Sequence, residues 1–252
     1  MAQPPVKSLW VTTGIEEVAV KAYEVVLRHV EEAILAGQLG VGDLLPPERE
    51  LAQQLGVSRS ATREAIRALE AQGVLTSSVG AGPGSGTRVT DQQSKALTKL
   101  LRLQVALANF PVGDVVELRV ALERVSVTLA AQRISEPALR RLRGVLDAMA
   151  SPAVGLDAFN ELDTEFHVLM SQAADNRLIT DMTVAVRESM RLPILRASRQ
   201  MGDWHAFRAD LQRHHESIYE ALAGRDAQRA ADLVETHIRV AYTILALAPT
   251  PA

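Results

Sequence analysis

The sequence predicts a mainly α fold in two parts, with one short β-compatible interruption. Alanine, leucine and valine dominate long stretches and aromatic residues make up only 4% of the chain, which favours helix over strand. Apolar residues recur at helical spacing, and the glycine-rich segment GAGPGSG breaks this pattern before residue 91. At 252 residues and 47% hydrophobic residues, the chain is long enough for two domains with packed cores.

Three helices are expected before the glycine-rich segment. The first runs from about Val18 to Ala36, where apolar residues recur at helical spacing. A pair of prolines then precedes ERELAQQL, which forms the second helix and ends at Gly56. Ser58 is a strong N-cap candidate for a third helix over residues 59–72. Two short helices joined by a tight glycine turn form the pattern of a helix-turn-helix.

The segments on either side of GAGPGSG favour β-structure. They cover residues 74–79 and 87–90 and predict a two-stranded wing with a flexible tip. The first domain is therefore expected to be a winged helix-turn-helix over residues 19–90, with residues 1–18 as an N-terminal arm.

The remainder of the sequence predicts an all-α antiparallel helical bundle over residues 91–247. Six short breaks separate about seven helices. Within the helical segment 178–199, Pro193 predicts a kink or a local break. The six breaks fall at Pro111, at Pro137, in MASPAVG, near Asn176, in QMGD and at Gly224.

Charge and composition limit the classes of function. The formal net charge is −3, so a nucleic-acid partner requires positive charge that is local rather than spread over the surface. The absence of cysteine excludes disulfides, a thiolate nucleophile and thiolate metal ligands. No apolar run approaches the roughly 18 residues of a membrane helix, and the first residues do not resemble a signal peptide. We therefore expect a cytoplasmic protein without a membrane partner.

Three arginines lie four residues apart in the third predicted helix. Arg59, Arg63 and Arg67 span about 80° of its circumference, opposite a row of apolar residues. Arg59 stands at the helix N-terminus, where a cation is disfavoured unless an external anion lies there too. Arg67 has Glu64 and Glu70 within ion-pairing distance along the helix. We expect Arg59 and Arg63 to face DNA and Arg67 to be neutralised in its own helix, with a solvated charged face as the alternative.

A second group of residues has the composition of a metal site. Asp163 and His167 are one helical turn apart, and alone they are more typical of a surface pair. His215 and His237 lie on two helices that flank the break at Gly224, and an antiparallel hairpin brings them to similar height. If the four converge, one carboxylate and three imidazoles form a set suited to zinc, nickel or manganese.

The segment GVGDLLPPERELAQQLGVSRSATREAIRALEAQGVL, followed by SGTRV, resembles the winged helix-turn-helix of the GntR regulator family over residues 20–90. The wing tip is longer than usual and carries Pro83. The resemblance implies that Arg49 holds a phosphate and that Arg59 and Arg63 reach base edges. It also implies that the DNA backbone is contacted by Ser58, Ser60 and Thr62, and that Gly84 or Gly86 approaches the minor groove.

Residues 95–245 resemble the FCD ligand-binding domain of the FadR branch of that family, in VVELRVALE, LDTEFHVLMSQAADNRLI and RHHESIYEALAGRDAQRAADLVETHI. The resemblance implies that the four candidate ligands bind a divalent ion, with zinc as the first choice. It also places Arg119 in the same cavity, where its guanidinium would clamp the carboxylate of an effector. The alternative for Arg119 is an interhelical salt bridge with Glu123.

These features together predict a DNA-binding transcriptional repressor and not an enzyme. A homodimer would bind a palindromic operator, and a small carboxylate would modulate that binding. GAGPGSGT and LDTEFHV resemble the LldR-like, L-lactate-responsive branch. One alternative is a metal-dependent hydrolase with a DNA-binding appendage, against which stand the lack of HExxH and of a clearly placed general base. The other is an architectural DNA-binding protein with a purely structural metal.

Overall fold

The computed structural model describes residues 14–78, 85–90 and 95–245, and the side chains of residues 22–78, 85–90 and 96–245. This part of the chain contains ten α-helices and one two-stranded sheet, so the predicted mainly α fold is confirmed. The chain divides into two compact units, residues 1–96 and 97–252. Within the described ranges, none of the helices combines the length and the apolar character that crossing a membrane requires.

The first unit contains the three predicted helices. The second and third are joined by a turn in which Gly56 adopts φ +64, a left-handed conformation that favours glycine. The predicted cap of the third helix is also present, since Oγ of Ser58 accepts a hydrogen bond from the amide of Ala61 at 3.1 Å. The helices are α1 (Gly14–Leu35), α2 (Glu48–Leu55) and α3 (Arg59–Ala71). Of the predicted arm, residues 1–13 lie outside the described part.

The two predicted strands pair in antiparallel register. Strand β1 (Leu75–Ser78) lies against β2 (Gly86–Val89), with Leu75 opposite Val89. The predicted flexible tip, with Pro83 and Gly84, lies outside the described residues. Both Leu75 and Val89 are buried in the core of the first unit, so the wing is anchored to the helices at its base. The other buried members of this core are Val26, Val30, Leu45, Leu51, Ala65, Ile66 and Leu69.

The second unit is a bundle of seven helices, as predicted. They are α4 (Lys95–Ala106), α5 (Val112–Arg133), α6 (Glu136–Ala150), α7 (Leu156–Ala173), α8 (Arg177–Arg199), α9 (Trp204–Ala223) and α10 (Ala227–Ile244). Helix α5 packs against α7, α8, α9 and α10, so these four surround it. The bundle core therefore lies around α5, where the candidate metal ligands would have to meet.

Of the kink or local break predicted at Pro193, the break is wrong, because α8 continues through this residue. Proline removes one backbone hydrogen bond and normally kinks or ends a helix. Here α8 packs against both α5 and α7, and Met190 on its buried face is fully enclosed. Tertiary packing of this face outweighs the local cost of the proline.

Candidate DNA-reading surface and metal centre

Helix α3 has one buried and one exposed face. Its buried face carries Ala61, Ala65, Ile66 and Leu69, all of which belong to the core of the first unit or lie against it. The side chains of Arg59, Arg63 and Arg67 lie on the exposed face. The sequence prediction that one side of this helix packs while the arginines are presented is therefore confirmed.

One of these arginines already has a partner within the helix-turn-helix. Both Nε and Nη2 of Arg63 donate to Oε2 of Glu48 on α2, at 3.0 and 2.8 Å. The hydrogen bonds from Arg63 hold the pKa of Glu48 below its usual range, although partial burial opposes the effect. The side chain of Arg63 is still 50% exposed. Sequence reasoning missed this pair because 15 residues separate its members.

The expected neutralisation of Arg67 is not present in the structure. Within the described residues, no carboxylate of Glu64 or Glu70 forms an ion pair with it. Arg49 and Arg59 are likewise exposed and carry no ion pair in this part of the chain. The positive charge of these three arginines is therefore open to an external anion, whereas that of Arg63 is balanced by Glu48.

The predicted backbone contacts are not all at the surface. Ser58 and Ser60 are exposed, and their hydroxyl oxygens lie 3.0 Å apart at the N-terminus of α3. Thr62 is fully buried, and its Oγ1 donates to the carbonyl oxygen of Ser58 at 3.2 Å. The prediction for Thr62 needs correction, because its side chain lies on the packed side of α3, bonded to the preceding turn, and does not reach the surface.

Of the two glycines predicted to approach the minor groove, the structure describes only Gly86. Gly86 begins β2 with φ +124, a conformation that strongly favours glycine, and a Cβ there would lie 3.2 Å from Cδ2 of Leu44. The positive φ and the nearby Leu44 side chain thus explain this glycine, which is exposed and pairs with Ser78 at the end of the ladder next to the tip. Gly84 lies outside the described residues, so its expected approach to the minor groove stays a prediction.

The four candidate metal ligands converge in the core of the second unit. Asp163 and His167 come from α7, His215 from α9 and His237 from α10, and all four side chains are buried. One possible ligand atom from each lies within 4.8 Å of the others. The one-turn spacing on α7 and the hairpin of α9 and α10 thus bring these side chains to one point, as expected.

The separations inside this cluster fit a shared ion. Nε2 of His167 lies 3.2 Å from Nε2 of His237, and Nε2 of His215 lies 3.1 Å from Oδ1 of Asp163. Two ligand atoms that are each about 2.1 Å from one ion, at angles of about 90 to 110°, are about 3.0 to 3.4 Å apart. Neither ring nitrogen of His215 makes a hydrogen bond. A neutral imidazole has one N–H donor and one acceptor, and leaving both unpaired in the core is costly unless a partner such as a cation binds the acceptor nitrogen.

Glu123 on α5 orients one of the ligands. Its Oε2 contacts Nδ1 of His167, which leaves Nε2 of that ring as the atom facing the cluster. Burial opposes the charge of Glu123, but Arg119 and His167 hold its pKa below the usual range. Burial lowers the pKa of His167, and it lowers those of His215 and His237 further. Neutral imidazoles are the form that binds a metal.

Arg119 lies in the cavity beside the cluster, and each nitrogen of its guanidinium has a contact. Nε donates to Glu123 at 2.6 Å, Nη1 donates to the hydroxyl of Tyr242 at 3.3 Å, and Nη2 lies 3.4 Å from Nε2 of His167. The sequence alternative of a salt bridge with Glu123 is thus present. Its expected interhelical form is wrong, since both residues belong to α5 and lie one turn apart.

A second buried arginine was missed by sequence reasoning. Arg187 on α8 is 2% exposed, and its Nη2 contacts Oδ2 of Asp163. Burial and the nearby charge of Arg119 lower the pKa of this guanidinium. No spacing pattern connects residues on α7 and α8 that are more than 20 positions apart, so the sequence offered no signal for it.

A small cavity adjoins the cluster. Asp163 and His237 contribute to its wall, so two candidate ligands face this space directly. The space open to the centre of a water molecule is about 30 Å³, which is room for about two or three waters. The polar residues of the wall include Arg119, Asn160 and Arg187, and its aromatic residues are Phe159, Trp204 and Phe207, with Trp204 in ring contact with both phenylalanines.

Comparison with known proteins agrees with both units. The family described as bacterial regulatory proteins, gntR family, matches residues 22–89, and the FCD domain family matches residues 114–240. An uncharacterized HTH-type transcriptional regulator of Bacillus subtilis, YcbG, is 31% identical over 85% of each chain. The putative L-lactate dehydrogenase operon regulatory protein of Escherichia coli K12 is 25% identical over 82% of this chain and 80% of its own.

A solved structure shares the fold as well. The GntR protein of Streptococcus agalactiae matches with a TM-score of 0.58 and 26% identity, over 86% of this chain and 98% of its own. The matching families and relatives are transcription regulators rather than enzymes. The chain therefore belongs to the GntR family of bacterial regulators, in the FadR-type group with an FCD domain, and is a DNA-binding transcriptional regulator.

Proposed function

We propose that the protein is a cytoplasmic, homodimeric repressor that a small carboxylate releases from a palindromic operator. The observation that carries this proposal is the convergence of Asp163, His167, His215 and His237 beside a cavity in the second unit. A buried set of this kind, next to space for a few atoms, is suited to sensing a small molecule. The effector would bind the two states of the dimer with different affinity and shift the spacing of its DNA-reading heads.

We assign the four ligands to a divalent ion, with zinc first and nickel or manganese as alternatives. Three imidazole nitrogens and one carboxylate oxygen suit these ions better than calcium or magnesium, which prefer oxygen ligands. When bound, the ion would supply a Lewis-acid centre for an oxygen of the effector. Glu123 supports this assignment because it fixes His167 with Nε2 towards the cluster.

The cavity supports a short acid as the effector. Its space of about 30 Å³ accommodates only a few atoms, and two buried arginines contribute positive charge to its wall. A small hydroxy or keto acid meets both conditions, and L-lactate is our first candidate. The name of the Escherichia coli relative, a putative L-lactate dehydrogenase operon regulatory protein, supports the same choice. Arg119 lines this cavity as the family resemblance implies.

Metal and effector can be tested together on the purified protein. Elemental analysis should find about one ion per chain, and a thermal-shift screen should show that one acid among L-lactate, pyruvate, gluconate and L-malate raises the Tm. A chelator should abolish that shift. The same acid should then weaken binding to an operator selected from random duplex DNA. Absence of metal and of any shift would contradict the sensor and leave a second unit that serves assembly only.

On the DNA side, we propose that Arg49 holds a phosphate, that Arg59 and Arg63 reach base edges, and that Ser58 and Ser60 contact the DNA backbone. Residues 20–90 contain seven Lys or Arg and eight Asp or Glu, so the attraction to DNA depends on placement rather than net charge. Dimerisation would double these contacts. Exposed apolar residues on α5, Leu118 and Val125, support a second copy as the partner.

Replacing Arg63 with alanine should weaken operator binding by about 5- to 150-fold and relax the preference for one base pair. The physical reason is the loss of the guanidinium that would exchange its hydrogen bonds with Glu48 for hydrogen bonds with a base edge. Arg49→Ala is the matched control, since a phosphate contact should weaken binding to all sequences alike and lessen its salt dependence. If Arg63→Ala also weakens all sequences equally, Arg63 is not a base reader.

A further inference from the structure

Two buried side chains beside the cavity carry N–H groups without a partner. They are Nδ2 of Asn160 on α7 and Nε of Arg187 on α8, and neither makes a hydrogen bond within the described residues. Asn160 is 6% exposed and Arg187 is 2% exposed, so bulk solvent hardly reaches either side chain. Both residues line the cavity. An unpaired buried donor costs free energy, so two of them at one cavity indicate an acceptor that binds there.

Arg119 does not offer a comparable donor. Its Nε donates to Glu123 and its Nη1 to Tyr242, while Nη2 faces His167. A ligand carboxylate at Arg119 would therefore either displace these contacts or share Nη1 and Nη2 with them. At Asn160 and Arg187 the carboxylate would accept hydrogen bonds from donors that have no other partner. These two residues are therefore the more favourable site for an anion.

We infer that Asn160 and Arg187, rather than Arg119, bind the effector carboxylate, and that the rest of the acid lies against the apolar wall. This inference rests on the proposed function, since it concerns the same cavity. Phe159, Trp204 and Phe207 face the cavity and offer no charged group to further hydroxyls or to a second carboxylate. The effector class is therefore a short monocarboxylate with an apolar end, in preference to a polyhydroxylated acid or a dicarboxylate.

Stability without effector gives the first test. Because Asn160→Leu removes an unpaired buried amide, we expect it to raise the Tm of the acid-free protein by about 2 to 4 °C. The matched control is Thr180→Val. Thr180 is as well buried as Asn160, and its Oγ1 donates to the carbonyl oxygen of Ser171 at 2.9 Å. Loss of this satisfied hydrogen bond should lower the Tm. A merely structural role of Asn160 would lower it as well.

Binding of defined acids gives the second test. Calorimetry on metal-loaded protein with L-lactate, pyruvate, gluconate and L-malate should favour L-lactate or pyruvate. Asn160→Leu should weaken that binding at least about tenfold, whereas Thr180→Val should not, and the metal content of both should equal that of the wild type. Arg187→Lys retains the charge but lacks Nε and the planar guanidinium, so it should lose affinity too, provided that its metal content is intact.

The results of these two tests distinguish a failure of this inference from a failure of the proposed function. If Asn160→Leu binds the acid as the wild type does, or lowers the Tm as Thr180→Val does, the inference is overturned while the proposed sensor stands. Tightest binding of gluconate or L-malate overturns the assigned effector class. If none of the four acids binds the wild type, the proposed function fails, and this inference fails with it.

Discussion

Replacing Glu123 with alanine is expected to lower the free energy of unfolding by about 3 to 5 kcal/mol, since it leaves the buried charge of Arg119 without its partner. The same change removes the acceptor at Nδ1 of His167, so metal affinity should fall about 10- to 100-fold. Urea denaturation in the presence of a chelator isolates the first effect, and titration of the chelator-treated protein with zinc measures the second.

Glu117→Ala is the matched control for this prediction. Glu117 lies on the same helix and also pairs with an arginine, Arg239, at 2.6 Å, but its side chain is 65% exposed. An ion pair at the surface contributes little to stability because water competes for both charges. Equal destabilisation by Glu117→Ala and Glu123→Ala would show that burial of the Arg119 pair has no special role.

His215→Ala should reduce the metal retained after dialysis from about one ion per chain to a small fraction of that, because it removes one of four ligands. The response of operator binding to the acid should disappear with the metal. Binding to the operator without acid should persist, because the reading helix belongs to the other compact unit. Elemental analysis and a DNA-binding titration with and without L-lactate measure these effects.

The neighbouring His214→Ala is the control for this variant. His214 lies outside the four-ligand cluster, although its ring approaches that of His237 with centroids 5.8 Å apart. It should keep its metal and its response to the acid. Circular dichroism should show unchanged helix content in both variants, and full retention of metal by His215→Ala would remove His215 from the assignment.

The convergence of the four candidate metal ligands was predictable from the sequence because it follows from helical geometry. A spacing of four places Asp163 and His167 on one face of α7, and a hairpin about Gly224 brings His215 and His237 together. The residues around the ligands were not predictable in the same way. Arg187 reaches the cluster only through the packing of α8 against α7, and sequence spacing carries no record of that contact.

On α3, the cap predicted from neighbouring residues is present, whereas the ion pairing predicted from sequence spacing is not. The cap by Ser58 depends on neighbouring backbone atoms, and it formed as expected. Arg67 was expected to pair within its helix, but the ion pair belongs to Arg63, whose partner Glu48 lies on another helix. Exposed ion pairs are worth little, so their choice of partner follows from tertiary placement rather than sequence distance.

The pair between Glu48 and Arg63 also bears on how quickly the protein finds its operator in a genome. A carboxylate amid the arginines of α3 weakens the attraction of that surface to phosphate, so we expect encounters with unrelated DNA to be brief. If Arg63 reads a base, as proposed, the base edge has to replace the hydrogen bonds that Arg63 gives to Glu48. We then expect the protein to distinguish its operator from unrelated DNA by the time it stays bound, more than by how often it encounters each sequence.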